Sequence, residues 1–242
     1  AQLVYSYLAV DKLKINYRQA AKVASRGSER EGILMSHIHH ECELERHIVE
    51  QLVTSGWLVG KSADYDAARA LFPEDVLLWL EDSQPDAMVK LRSMNGAGTE
   101  NVVLDRLVKQ LENKIEGGTI NVLRYGFAIA GGGTLAMSQG LPEDGRNETV
   151  IKRYAANRLR VVPQLRYSLD KADEIDLAFF INGIPVATVE LKTDFTQSVQ
   201  AAMQQYRMDR RPERKSGGLE PLLTFKRGAV VHFAMSDSDI RM

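Results

Sequence analysis

The chain has 242 residues, enough for one large domain or two small ones, and at that length a core forms without disulfide staples. Its 44 % hydrophobic and 26 % charged residues are those of an ordinary folded protein and exclude disorder, and no apolar run reaches membrane-spanning length. With 31 Lys plus Arg against 32 Asp plus Glu, the net charge of −1 excludes a protein that coats nucleic acid by bulk charge.

Any DNA contact must therefore come from a local patch or be shared with partner subunits. The single cysteine, Cys42, excludes an internal disulfide and points to a reducing compartment. The opening AQLVYSYLAV lacks the basic leader and long apolar stretch of a signal peptide, so a cytoplasmic location is expected.

Residues 1–34 are polar and weakly patterned and read as a peripheral extension to a single domain over 35–242. From Glu41 the pattern turns helical: Leu44, Ile48 and Leu52 recur at i+4, and Gly56 stands where a helix would stop. A second helix is expected near Pro73–Leu80, with Trp79 and Leu80 supplying core bulk. A third is expected from Thr99, as its N-cap, through Val103, Leu107 and Leu111 toward Gly117-Gly118. The period then changes, and Thr119–Ala130 and Leu159–Tyr167 both read as strands. Gly131-Gly132-Gly133 lacks the following Lys-Ser/Thr of a nucleotide loop and reads as a surface turn. Helices, then strands, then a long helix, without internal repeats, predict one mixed α/β domain.

Glu174–Lys192 (EIDLAFFINGIPVATVELK) sets two β-prone runs on either side of Asn182-Gly183, a strong hairpin signal. A two-residue turn would put Asp176 opposite Val189 and mix charge with core on both faces. A three-residue loop, Ile181-Asn182-Gly183, pairs Phe180 with Ile184 and Asp176 with Thr188. One face then collects Ile175, Leu177, Phe179, Pro185, Ala187, Val189 and Leu191. The other collects Asp176, Ala178, Phe180, Ile184, Val186, Thr188, Glu190 and Lys192. A one-residue slip would flip a whole strand, so this sorting selects the three-residue register.

In that register Asp176 and Glu190 are diagonal neighbours roughly 7–8 Å apart at Cα, and Lys192 shares their face. Two carboxylates and an ammonium make a hard-cation site that suits magnesium better than zinc. The plainer alternative is a solvated hairpin end carrying an ordinary ion pair, which would contribute little stability. The position of the charges, far from the turn and flanked by core-grade residues, favours the site.

The run IDLAFFINGIPVATVELKTDFTQSVQAAMQQYRMDRRP, beginning at Ile175, resembles the nuclease domain of the restriction (R, motor) subunit of type I restriction–modification enzymes. HECELERHIVEQLVTSGW, GGTINVLRYGF, RYAANRLRVVPQLRYS and RGAVVHFAMSDSDIRM resemble further family segments in the same order, so the similarity runs from about Glu41 to Met242. The resemblance implies a restriction-endonuclease-like PD-(D/E)xK fold, a mixed central sheet flanked by helices. Asp176 would be the motif aspartate, Glu190 its acidic partner and Lys192 the lysine, with Ile175 where the motif name has proline. It further implies magnesium-dependent cleavage of duplex DNA and association with methyltransferase (M) and specificity (S) subunits. ATP would be used only by a motor absent from this chain. Asp176 and Glu190 would hold magnesium with the Leu191 backbone carbonyl, while Lys192 would orient the attacking water.

Related nucleases often carry Gln-x-x-x-Tyr on the helix after the lysine, but here Ala202 stands four residues before Tyr206. Val199, Met203 and Tyr206 form an apolar stripe beside a polar one of Gln200, Gln204 and Arg207, which makes Tyr206 a packing residue. Gln204, with Gln205 behind it, becomes the expected site-supporting residue. Glu41 and Glu45 share a helix face, either solvated or lending a third acidic group; analogy with first-helix acids of related nucleases selects Glu45 as a metal ligand. Arg207, Arg210 and Arg211, with Arg214 and Lys215, form a basic cluster that either grips DNA phosphates or faces water as a cationic helix end. His37, His39, His40 and Cys42 lack the paired spacing of a structural zinc site. The rival readings are another nuclease of the same fold, such as a junction resolvase or repair enzyme, and a non-catalytic docking module.

Overall fold

The computed structural model describes residues 33–142, 146–192, 199–236 and 239–242, with side chains from Glu41 onward. Nearly all of the expected extension over 1–34, and the side chains of His37, His39 and His40, lie outside the described residues.

The described residues begin with helix α1 (Ile33–Thr54), so the helix starts upstream of Glu41, where its pattern becomes legible. Leu44, Ile48 and Leu52 are buried along one stripe as their spacing predicts. After β1 (Leu58–Val59), two proline-initiated helices follow, α2 (Pro73–Ser83) and α3 (Pro85–Asn95). Proline suits the first helical turn because its missing N–H would have no partner there. Val76, Trp79 and Leu80 of α2 are wholly buried, and the Trp79 indole donates to the Ala136 carbonyl at 2.8 Å. Helix α4 (Thr99–Leu111) buries Val103, Leu107 and Leu111 as expected, but Thr99 is its first residue rather than its cap. Its hydroxyl donates back to the Gly96 carbonyl at 2.7 Å instead of capping forward.

Thr119–Ala130 corrects the strand expectation. It folds as helix α5 (Thr119–Tyr125) and only then as strand β2 (Phe127–Ile129), paired with β3 (Gly133–Leu135). Long-range contacts decide this: the Thr119 hydroxyl donates to the carbonyls of Arg227 and Gly228 at 2.8 and 2.7 Å, anchoring the first turn of α5. The glycine triplet forms the turn and start of β3 in this small hairpin. Helix α6 (Glu148–Ala155) is capped by Asn147, whose side chain accepts the N–H groups of Thr149 and Val150.

The main sheet then assembles from β4 (Leu159–Arg166), β5 (Glu174–Ile181), β6 (Ile184–Leu191), β7 (Val231–Met235) and β8 (Ile240–Arg241), with β1 at its edge. Its order is β1-β4-β5-β6-β7-β8; β1–β4 and β6–β7 are parallel and the other pairs antiparallel. Helix α7 (Val199–Met208) packs back on the sheet through Val199, Ala202 and Met203 against Ala234. This is the expected mixed α/β architecture with a central sheet between helices.

The hairpin register differs from the sequence expectation. Ile181 pairs with Ile184, so the turn is the two residues Asn182 and Gly183, both at positive φ (49° and 79°) as a tight hairpin turn requires. Phe180 then pairs with Pro185 but Phe179 with Ala187, so Val186 is an extra residue in β6. This bulge shifts the register by one, and the shift continues through Ala178↔Thr188 and Leu177↔Val189. Continued one step, it sets Asp176 opposite Glu190 rather than opposite Thr188. Ile184 and Val186 consequently join Leu177, Phe179, Ala187, Val189 and Leu191 in the main core instead of sharing the acidic face. The parity of Asp176 and Glu190 survives, because turn and bulge together shift the pairing by an even number.

The turn is held from outside as well. Asn182 is fully buried; its amide donates to the Met137 carbonyl and to Asn157 Oδ1, both at 2.9 Å, while its oxygen accepts the Arg158 N–H at 2.7 Å. The Gly183 carbonyl accepts the Phe72 N–H at the entry to α2. Next to it, buried Asp75 in the first turn of α2 accepts from Arg158 and from both Nε and Nη2 of Arg160, tying α2 to β4. The hairpin is thus clamped at its tip, which leaves its opposite end free to carry chemistry.

Candidate active site

At that opposite end β5 and β6 separate. Strand β5 stays paired with β4 as far as Glu174, whereas its ladder with β6 stops at Leu177↔Val189. In the gap, Asp176 Oδ2 accepts the Leu191 N–H at 2.6 Å, replacing a strand-to-strand bond with a side-chain one. The N–H and C=O of a strand residue leave the same edge, so the Leu191 carbonyl also lies on the Asp176 side. On the other edge the Lys192 N–H donates to the Met235 carbonyl of β7, holding the end of β6 to the sheet.

Glu190 projects beside Asp176 and is only 1 % exposed. Arg210, just beyond α7, donates from Nε to Glu190 Oε1 at 2.7 Å and from Nη2 to the Glu174 carbonyl at 2.7 Å. Glu190 Oε2 is buried with no hydrogen-bond partner among the described residues. Burial, and then the neighbouring Asp176 charge, push the Glu190 carboxyl up to about 7, while Arg210 and Lys192 pull against that rise.

Lys192 is mostly covered and its ammonium lies 4.0 Å from Glu41 Oε2 of α1. One helical turn on, half-buried Glu45 accepts a hydrogen bond from the Gln164 side chain. Its carboxyl is raised chiefly by burial, and further by the nearby Asp176, against the lowering effect of the Gln164 bond. Helix α1 therefore brings both Glu41 and Glu45 to the open end of the hairpin. Both side chains remain partly exposed there.

Asp176, Glu190, Lys192 and the Leu191 backbone thus converge as expected, with Glu45 beside them. Gln204 does not join them: it is exposed on α7, and no hydrogen bond links it to these residues among those described. Arg207 and Arg211 are exposed, as a phosphate grip requires. Arg210 corrects the basic-cluster expectation, because its guanidinium is committed to Glu190 and lies 5.8 Å from the Tyr167 ring centre. Arg214 is paired with Asp170.

Tyr206 packs as its stripe predicts, but its hydroxyl also meets Thr188 Oγ1 at 2.8 Å, and His232 Nδ1 meets the same oxygen at 2.7 Å. Burial pushes the His232 imidazole below its usual range. This trio on the Glu190 face, and the Gln164 contact, escaped the sequence reading. Thr188 had a cue in its parity with Glu190; Gln164 had none.

The donor set consists of hard oxygens and includes an orphaned carboxylate oxygen. Among the described residues no three His, Cys, Asp or Glu groups enclose a metal by themselves. A divalent cation with several water ligands, such as magnesium, fits two carboxylates and a backbone carbonyl; a structural zinc does not.

A mixed sheet with a splayed hairpin bearing Asp, Glu and Lys on one face defines a restriction-endonuclease-like fold. The sequence profile of the family described as type I restriction enzyme R protein N terminus matches residues 77–242, well over half of the chain. The chain belongs to that family. No curated protein matches it. No helix among the described residues is long and apolar enough to cross a membrane.

Proposed function

We propose that this chain is the endonuclease domain of a type I restriction enzyme R subunit and cleaves duplex DNA with magnesium. Cleavage would be coupled, in the whole subunit, to ATP-driven translocation by a motor and to assembly with M and S subunits in the cytoplasm. The observation that carries the reading is the orphaned Glu190 Oε2, buried beside Asp176 where β5 and β6 part. A buried carboxylate oxygen without a donor costs on the order of 1–3 kcal/mol, a cost that a cation would remove.

Asp176, Glu190 and the Leu191 carbonyl would hold magnesium. Bound there, it would supply positive charge against the scissile phosphate and acidify the attacking water. Asp176 is oriented by the Leu191 N–H, which leaves its second oxygen for the cation. Glu190 is oriented by Arg210 in the same way. Lys192, partly covered, orients the water and offsets charge that grows on the phosphate during in-line attack. Arg207 and Arg211 give the duplex an exposed cationic rim.

The test pairs manganese calorimetry on the chain with plasmid cleavage by the assembled restriction enzyme. Glu190→Ala should abolish both and leave the fold intact. Wild-type cleavage by that variant would refute the assignment.

A further inference from the structure

The segment after α7 does more than carry Arg210 to Glu190. It runs on to Arg214 and Ser216, and both close on Asp170, in the loop between β4 and β5 at the same end of the sheet as Asp176. Arg214 donates to Asp170 Oδ1 from Nε at 3.1 Å and from Nη2 at 2.5 Å. The Ser216 N–H donates to Oδ2 at 3.0 Å, and its hydroxyl lies 2.6 and 2.7 Å from the two carboxylate oxygens. Arg214 Nη2 also donates to Ser216 Oγ at 2.9 Å, which fixes the two donors relative to each other. A guanidinium fork, a backbone N–H and a hydroxyl aimed at one pair of charged oxygens are the donors that hold a phosphodiester.

Resting on the proposed action on duplex DNA, we infer that Arg214 and Ser216 form a phosphodiester-binding cradle that the chain's own Asp170 occupies until DNA displaces it. The loop does not need Asp170 for its placement. Buried Glu220 accepts from Ser168 Oγ and the Leu169 N–H at 2.6 and 3.1 Å, and its own N–H donates to the Pro212 carbonyl at 2.7 Å. Asp170 is therefore a second tie, at the surface, between loops that Glu220 already joins. Exposed ion pairs of this kind add little stability. A carboxylate offers paired, charged oxygens like those of a phosphate, and Lys215, between the two donors, is exposed to add to the attraction. While Asp170 fills the cradle, Arg214 is withheld from the cationic rim of Arg207 and Arg211.

Binding of a fluorescent random-sequence duplex to the full chain is measured by anisotropy without magnesium, between about 50 and 200 mM salt. The wild type, Asp170→Ala, Arg214→Gln and the double variant are compared, with thermal melts alongside. Asp170→Ala should melt close to the wild type, since Glu220 keeps the loop in place. It should bind roughly 3-fold tighter or more at the low-salt end, with a steeper salt dependence. In the Arg214→Gln background the same substitution should gain nothing, because the cradle is gone. An equal gain in both backgrounds would make Asp170 a distant charge and overturn the inference. Unchanged or weaker binding by a folded Asp170→Ala would overturn it too. Should that variant melt early, Asp170→Asn, which removes the charge and keeps an acceptor, is judged by the same criteria. Loss of affinity on replacing Arg207 and Arg211 together by glutamine would still leave the DNA reading standing. A wild-type chain that binds no duplex would overturn both.

Discussion

Asp176 Oδ2 sits 2.6 Å from the Leu191 nitrogen, so an acidic side chain completes the hydrogen bonding of β6 at the point where β5 turns away from it. The aspartate therefore has a structural task and a chemical one, and substitutions separate them. Asp176→Asn keeps an oxygen for the Leu191 N–H and should fold with near wild-type stability, yet lose at least 100-fold in manganese affinity. Asp176→Ala should lose that affinity and also about 1–2 kcal/mol of stability. Denaturant melts and calorimetry of both variants check this; equal stability of the two would contradict the structural task.

Glu190 predicts a pH dependence. Its carboxyl is raised from the usual 4.5 to about 7, first by burial and then by Asp176. In the unfolded chain it ionises near 4.5, but in the native protein it holds its proton up to about 7. Its contribution to stability is thus complete below 4.5 and lost as the pH rises through 7. Cation binding needs the ionised form, so manganese affinity should climb about tenfold per pH unit toward 7 and then level off. Titrations between about pH 5 and 8 decide this; a flat profile would reassign the titrating group.

Arg210 lowers the Glu190 carboxyl, so removing it moves the titration the other way. Arg210→Met should shift the acid limb of cation binding to higher pH and weaken binding under mildly acidic conditions. The same calorimetric series on the variant measures it. An unshifted limb would make the contact incidental.

The far end of the hairpin should govern stability without touching the chemistry. Asn182→Ala deletes three buried hydrogen bonds and places alanine at positive φ, for a loss on the order of 3 kcal/mol. Gly183→Ala should cost at least as much, since a Cβ there would collide with the Phe72 carbonyl and the Val76 backbone. Equilibrium unfolding in urea measures both. A loss below about 1 kcal/mol would contradict the clamped turn.

The acidic pair was legible from the sequence for a reason that was partly fortunate. Asn182-Gly183 marked the hairpin, and strand parity put Asp176 and Glu190 on one face. A three-residue loop, however, stood in for a two-residue turn followed by the bulge at Val186. Val186 is a β-branched apolar residue among others, so its pattern carries no trace of the bulge. Only Pro185, which has no N–H to give a ladder, marked the place.

Thr119–Tyr125 shows another limit. A seven-residue stretch of mixed apolar and polar residues between glycines suits a strand or a short helix equally, and the carbonyls of Arg227 and Gly228 decide the matter from far along the chain. Arg210 shows a third. In the sequence it is one of five clustered cations, and only tertiary packing turns it toward Glu190.

A crystal soaked in manganese addresses the central assignment most directly. The account predicts anomalous density among Asp176, Glu190 and the Leu191 carbonyl, with Glu190 Oε2 as a ligand. Density elsewhere, or none there at saturating manganese, would contradict it.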